Sequence, residues 1–158
     1  MLRSPTIRVP KLKKLLTEVD VKLRLFDAAY TLREPANHEE FLRKSYGNFG
    51  KLMGMGAHPD FNKERLPGAV HFNLDIASFP GKYERASLYP PELFEEYIRM
   101  LGVNKGDAVV VYGRGPFGGM LFAARAWWLL KMYGLEEVAV LEGGIDKWKE
   151  EGGATVQG

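Results

Sequence analysis

The chain contains no cysteine. That single absence removes a disulfide framework, a thiolate zinc site and thiol catalysis. It is compatible with any compartment and locates nothing. Charge of either sign is not in excess: 22 Lys and Arg stand against 20 Asp and Glu, a net charge of +2. So small a balance gives no argument for nucleic acid as a partner. No apolar run is long enough to span a bilayer, so no membrane partner is expected either. What is present is ordinary for a soluble globular protein: 158 residues, 46% apolar and 27% charged, enough for one domain with its own core.

The stretch around which the chain is organised begins at Val109, Val110, Val111 and Tyr112, a short apolar run of the kind a covered parallel strand shows. Gly113, Arg114, Gly115, Pro116, Phe117, Gly118 and Gly119 follow, a composition that neither strand nor helix tolerates well. A long run of helical composition comes next. In an α/β sheet, the turn after a strand's carboxyl end is where ligands bind. Its backbone N–H groups and the following helix N-terminus favour an anion. The position suits a site, yet those seven residues include no Cys, Ser, Thr, His, Asp, Glu or Lys. No catalytic residue, no metal and no cofactor is therefore assigned.

The rest of the chain alternates strand and helix. The basic opening stretch carries Val9, Leu12, Leu15 and Leu16 at helical spacing, which reads as a first helix with a solvated basic face. A mitochondrial presequence is the alternative. The alternating run from Lys22 to Ala28 reads as a strand ending in Asp27, an acid placed to cap a turn or to serve a site. Asn37 with Glu40 three residues on reads as a capping arrangement for a short helix. Residues 47–62 are glycine-rich and aperiodic and read as a loop insertion. Within it His58 and Asp60 lie close together, but without a third ligand they make no metal site.

Val70 to Phe72 reads as a strand with His71 as a hydrogen-bonded structural histidine, and Asp75 falls at the same sheet edge as Asp27. Pro90, Pro91 and Glu92 start a helix with a stripe of Leu93, Phe94, Tyr97, Ile98 and Leu101, stopped by Gly102. The helix after residue 119 is apolar almost all round, so Trp127 and Trp128 cannot both face the sheet, and Arg125 would need Asp27, Asp75 or Glu142 if buried. Val138 to Leu141 is a buried strand, and Ile145 and Trp148 mark a last helix. The expected fold class is α/β, with a parallel sheet of about five strands covered by helices on both faces.

Two functional readings compete. Gly113, Gly115 and Gly118 match the dinucleotide-binding spacing between strand and helix, with Glu142 ending the next strand. Against it, Pro116 stiffens the turn, Glu142 lies beyond the usual ~20 residues, and most of the sheet precedes the motif. The second reading starts from Leu25-Phe26-Asp27-Ala28, Leu66-Pro67-Gly68-Ala69-Val70-His71-Phe72, Ala124-Arg125-Ala126-Trp127-Trp128, and Val140-Leu141-Glu142-Gly143-Gly144 with Trp148.

In this order these segments resemble the rhodanese homology domain, most closely the non-catalytic N-terminal half of tandem-domain thiosulfate and 3-mercaptopyruvate sulfurtransferases. The resemblance implies a domain over residues 1–151, with 152–158 beginning an interdomain linker or a disordered tail. It implies persulfide chemistry on a Cys at the start of the loop after the central strand. Here that residue is Gly113. It implies a catalytic second rhodanese domain as partner, with Asp75 contributed across the interface, and an intracellular location, cytoplasmic or mitochondrial. In the mercaptopyruvate enzymes a His follows that Asp; here Lys82, Tyr83, Glu84 and Arg85 occupy the region. The alternative is a free-standing regulatory module whose loop takes a small anion on Arg114.

Overall fold

The computed structural model describes residues 2–115 and 120–158. Five strands form one parallel sheet in the order β1-β7-β6-β2-β3: β1 Thr6–Ile7, β2 Leu23–Asp27, β3 Val70–His71, β6 Ala108–Tyr112 and β7 Val138–Leu141. The expected parallel α/β architecture is what the chain adopts. Two further strands, β4 Ser78–Phe79 and β5 Ser87–Leu88, pair antiparallel as a separate ribbon. The helices are α1 Val9–Thr17, α2 His38–Lys44, α3 Phe49–Met53, α4 Pro59–Lys63, α5 Leu74–Ala77, α6 Pro91–Met100, α7 Leu121–Met132 and α8 Gly144–Glu150.

The two-residue period of the strands divides the core into two layers. Val109 and Val111 of β6, with Phe26, Val138 and Val140, face α6 and α7. Ala108, Val110 and Tyr112, with Leu25, Ala139 and Leu141, face α1 and α8. Every residue of β6 is buried, which is why its sequence is a continuous apolar run rather than an alternation. The basic opening stretch forms α1, whose Val9, Leu12 and Leu15 belong to the second layer; Leu16 faces outward. From β2 the chain moves to β3 on one side and later returns to β6 on the other. The carboxyl ends of β2 and β6 therefore flank a topological switch point, where open α/β sheets bind their ligands.

β1, α3 and α4 depart from the sequence reading, and α5 and the β4–β5 ribbon add elements it did not contain. β1 is a two-residue strand ahead of α1, too short for any periodicity to mark, and it pairs with β7. The segment read as an unstructured loop contains α3 and α4. The side chain of Asn48 caps α3 by accepting from Lys51 N, and Phe49 packs its ring 5.2 Å from Tyr89 and 5.6 Å from Tyr97. His58 caps α4 and Pro59 occupies its first turn. At α2, Asn37 accepts from Glu40 N as expected, while the Glu40 carboxylate takes Lys44 instead of reaching back.

Residues 152–158 lie against the connection between α4 and β3. Trp148 Nε1 donates to Ala154 O at 2.8 Å, Arg65 and Val156 exchange both backbone bonds, and Thr155 Oγ1 donates to Glu64. Gly153 passes so close to Trp148 that a Cβ there would sit 2.2 Å from the indole. No described helix is long and apolar enough to cross a membrane.

Candidate functional site

The β6 loop leaves the sheet at Tyr112. The Gly113 carbonyl accepts from Ile145 N at 3.0 Å, tying the loop to the first turn of α8. Gly115 has φ +97°, a conformation that favours glycine. Pro116, Phe117, Gly118 and Gly119 lie outside the described residues, so the second half of the glycine motif has no structural account here.

Arg114 turns inward. Its Nη2 pairs with Asp27 Oδ2, and its Nη1 donates to Asp60 O at 3.0 Å. Its Nε is buried with no hydrogen-bond partner. Asp27 is fully buried, and its other carboxylate oxygen accepts from Ala29 N at 2.9 Å. So Asp27 does both things a strand-end acid can do: it caps the turn after β2 and compensates a cation. Beside it, Tyr112 Oη accepts from Leu66 N at 3.0 Å. Burial, and then the Asp27 charge, push the Tyr112 phenol well above its ordinary pKa, so it stays protonated.

His71 completes this edge. One of its ring nitrogens, Nε2, lies 2.7 Å from Ala29 O, a hydrogen bond that makes Nε2 the protonated nitrogen. Burial holds its pKa below the usual histidine value, against the opposing effect of that hydrogen bond. It is the structural histidine that the sequence pattern suggested. Because the folded-state pKa lies below the unfolded value of about 6.5, the folded state binds fewer protons than the unfolded one. The His71 contribution is therefore fully present above that value and is lost as the pH falls below it. Urea melts of the wild type and His71→Gln between pH 8 and 5 should show the wild type losing ground to the variant on the acid side. Parallel pH profiles would remove His71 from the account.

Asp75 stands elsewhere on the same edge. It is exposed at the start of α5, and Tyr30 Oη donates to its Oδ1 at 2.7 Å. Burial first, then the bond to Asp75, raise the Tyr30 pKa to about 12, with Arg85 acting in the opposite direction. The Tyr30 ring meets Phe122 edge-on at 5.0 Å. The structure thus groups Asp75 with Tyr30 and Phe122, and groups Arg114 with Asp27.

The helix of ambiguous facing, α7, resolves its two tryptophans. Trp127 turns in and donates from Nε1 to Val138 O at 3.0 Å; Trp128 stays 43% exposed beneath Arg125, whose guanidinium lies 4.8 Å from the ring. Arg125 is exposed and needs no buried anion. The three acids considered for it are engaged otherwise: Asp27 by Arg114, Asp75 by Tyr30, and Glu142 by Thr6 and Arg8. Among the described residues no group of three or more His, Asp or Glu is arranged to hold a metal ion.

Comparison with known proteins fits this geometry. A family profile, "Rhodanese-like domain", matches residues 11–151. A protein of Caenorhabditis elegans named "Putative thiosulfate sulfurtransferase mpst-4" is 44% identical over 127 residues, covering 80% of this chain and 46% of that protein. A second from the same organism, mpst-1, of like name, is 38% identical over 135 residues, covering 82% of this chain and 40% of its own length. The chain thus spans less than half the length of these relatives. The crystal structure of the 3-mercaptopyruvate sulfurtransferase SseA of Escherichia coli superposes with a TM-score of 0.70 at 24% identity, over 98% of this chain and 52% of that one. The chain belongs to the rhodanese-like domain family and has homology to sulfurtransferases.

Proposed function

We propose that this chain is a catalytically silent rhodanese-like domain. It completes the fold and one wall of the active site of a sulfurtransferase whose nucleophilic cysteine lies in a second rhodanese domain. The observation that carries this reading is the missing sulfur: relatives are named for sulfur transfer, and this chain has no cysteine anywhere. A thiolate is the nucleophile in persulfide formation, and a methionine thioether has no proton to lose.

The site geometry supports the same conclusion. The alternative reading takes its anion on Arg114, which would need that guanidinium free to face a ligand. Arg114, the cation of this loop, is neutralised by Asp27 and held inward. That disfavours a free-standing module whose anion is held by Arg114. Exposed Asp75, with half-buried Tyr30 and Phe122 beside it on the sheet's carboxyl edge, suits a wall facing another domain, and half-exposed Trp128 suits a surface that a partner covers. Along the chain after Asp75, Lys82, Tyr83, Glu84 and Arg85 stand where the mercaptopyruvate enzymes place a histidine, which favours thiosulfate over 3-mercaptopyruvate as the whole protein's donor.

The purified chain is expected to form no persulfide, read as unchanged intact mass after thiosulfate treatment, and to turn over neither thiosulfate with cyanide nor 3-mercaptopyruvate with a thiol. Turnover above a heat-treated control would overturn the proposal. Assaying both donors on the two-domain protein decides between them.

A further inference from the structure

His58 sits where α4, β3 and the β6 loop meet, and its side chain is only 11% exposed. Nδ1 accepts from Asp60 N at 3.0 Å, capping α4. That bond fixes the tautomer: Nδ1 carries the lone pair, so Nε2–H donates to Thr31 Oγ1 at 2.8 Å. One residue serves both ends of this arrangement, because the Asp60 carbonyl is the acceptor for Arg114 Nη1. The imidazole therefore pins the same peptide segment that holds the outer edge of the guanidinium.

We propose that His58 is a proton-operated latch that sets how firmly α4 holds the Arg114 end of the β6 loop. With the ring neutral the latch is closed. A proton added at Nδ1 turns an acceptor into a donor and puts two N–H groups face to face, so the bond to Asp60 N is lost. A replacement partner stands ready: the Asp60 carboxylate, whose Oδ2 lies 3.8 Å from Nδ1. The ring then exchanges the backbone N–H for the carboxylate, and α4 loses its cap. The other titratable and charged groups around the ring are His71 on β3, with the two rings 6.3 Å apart, and Asp27 with Arg114 at the ends of β2 and β6. The charges of the last two oppose each other, and burial disfavours the protonated form of His71. None of them offers the protonated ring a better partner than Asp60. At its far end α4 is secured independently, through Glu64 to Lys149 and Thr155. Opening the latch thus frees one end of the segment without unfolding it.

The test is an NMR titration of the uniformly labelled chain from pH 8 to 5. Imidazole ¹⁵N shifts report the state of each His58 nitrogen, and hydrogen exchange, corrected for its intrinsic pH dependence, reports the Asp60 amide. Protection of that amide should fall about tenfold as His58 titrates, the scale of one lost hydrogen bond, and the Arg114 side-chain signals should move with the same midpoint. In His58→Asn, whose amide oxygen caps at every pH, both responses should flatten. Asp60 protection that stays constant while His58 titrates overturns the proposal. So does a response that survives in His58→Asn, which would assign it to His71 or a carboxylate. If that variant does not fold, the wild-type spectrum still decides: a protonated Nδ1 at pH 8 rules out the latch.

Discussion

Asp27→Ala is expected to lower the free energy of unfolding by about 3–5 kcal/mol, the range for removing one partner of a buried ion pair. Asp27 is fully buried and the Arg114 side chain only 17% exposed. Truncation leaves the guanidinium without its counter-charge in a low-dielectric surrounding. It also strips the Ala29 N–H of its acceptor. Two costs fall together, which places this substitution well above an ordinary polar-to-alanine change. Arg114→Met tests the converse, because it leaves the Asp27 carboxylate buried without its cation. The double variant should lose less than the sum of the two, with a coupling of about 1–3 kcal/mol, because neither charge is then stranded. Urea melts with an unchanged m-value would give all three numbers. An Asp27→Ala loss below 1 kcal/mol would mean that solvent already compensates Arg114, and the case against a free anion site would fall with it.

The sequence made the sheet legible wherever burial leaves a long trace. β6 and β7 are covered on both faces and show unbroken apolar runs. α6 carries its buried Phe94, Tyr97 and Ile98 at helical spacing and ends at Gly102, which has φ +89°. Short elements leave no such trace. β1 spans two residues and is defined by its pairing with β7, which is separated from it by most of the chain. α3 and α4 have five residues each; each starts at a cap, Asn48 or His58, and is held by contacts distant in sequence, Phe49 on Tyr89 and Tyr97 for α3 and Phe61 beside His71 for α4. The local signal for α4 was present all the same, as Pro59 directly after a residue able to cap.

The pairing at the site was illegible for a different reason. Asp27 and Arg114 each stood out, one as a strand-end acid and the other as the cation of the loop. Nothing in their own spacing joins two residues 87 positions apart. Only the parallel register that sets Asp27 opposite Tyr112 brings them together. The exposure of Arg125 stayed open because its environment depends on which side of α7 faces the sheet, and an apolar helix gives little information about that.

Trp148→Ala is expected to cost about 3–5 kcal/mol, as for other buried aromatic truncations, and to release residues 152–158 as well. The indole is 5% exposed, packs in the layer with α1, and has Lys13 Nζ 5.8 Å from its ring centre. Its Nε1 holds the Ala154 carbonyl, and a Cβ added at Gly153 would collide with the ring. The glycines that read as a linker are therefore small for a packing reason at position 153. Two further variants separate the stability loss from the release. Trp148→Phe keeps most of the burial but has no N–H for Ala154, so the tail should loosen at a smaller cost of about 1–2 kcal/mol. Gly153→Ala should loosen it from the other side by forcing a methyl group into the indole, at about 1–3 kcal/mol. Hydrogen exchange at Val156 N, which donates to Arg65 O, and at Gly158 N, which donates to Asn62 O, reads tail release directly. If those amides stay protected in Trp148→Ala, the contacts to Asn62, Glu64 and Arg65 hold the tail without the indole, which then serves only the core.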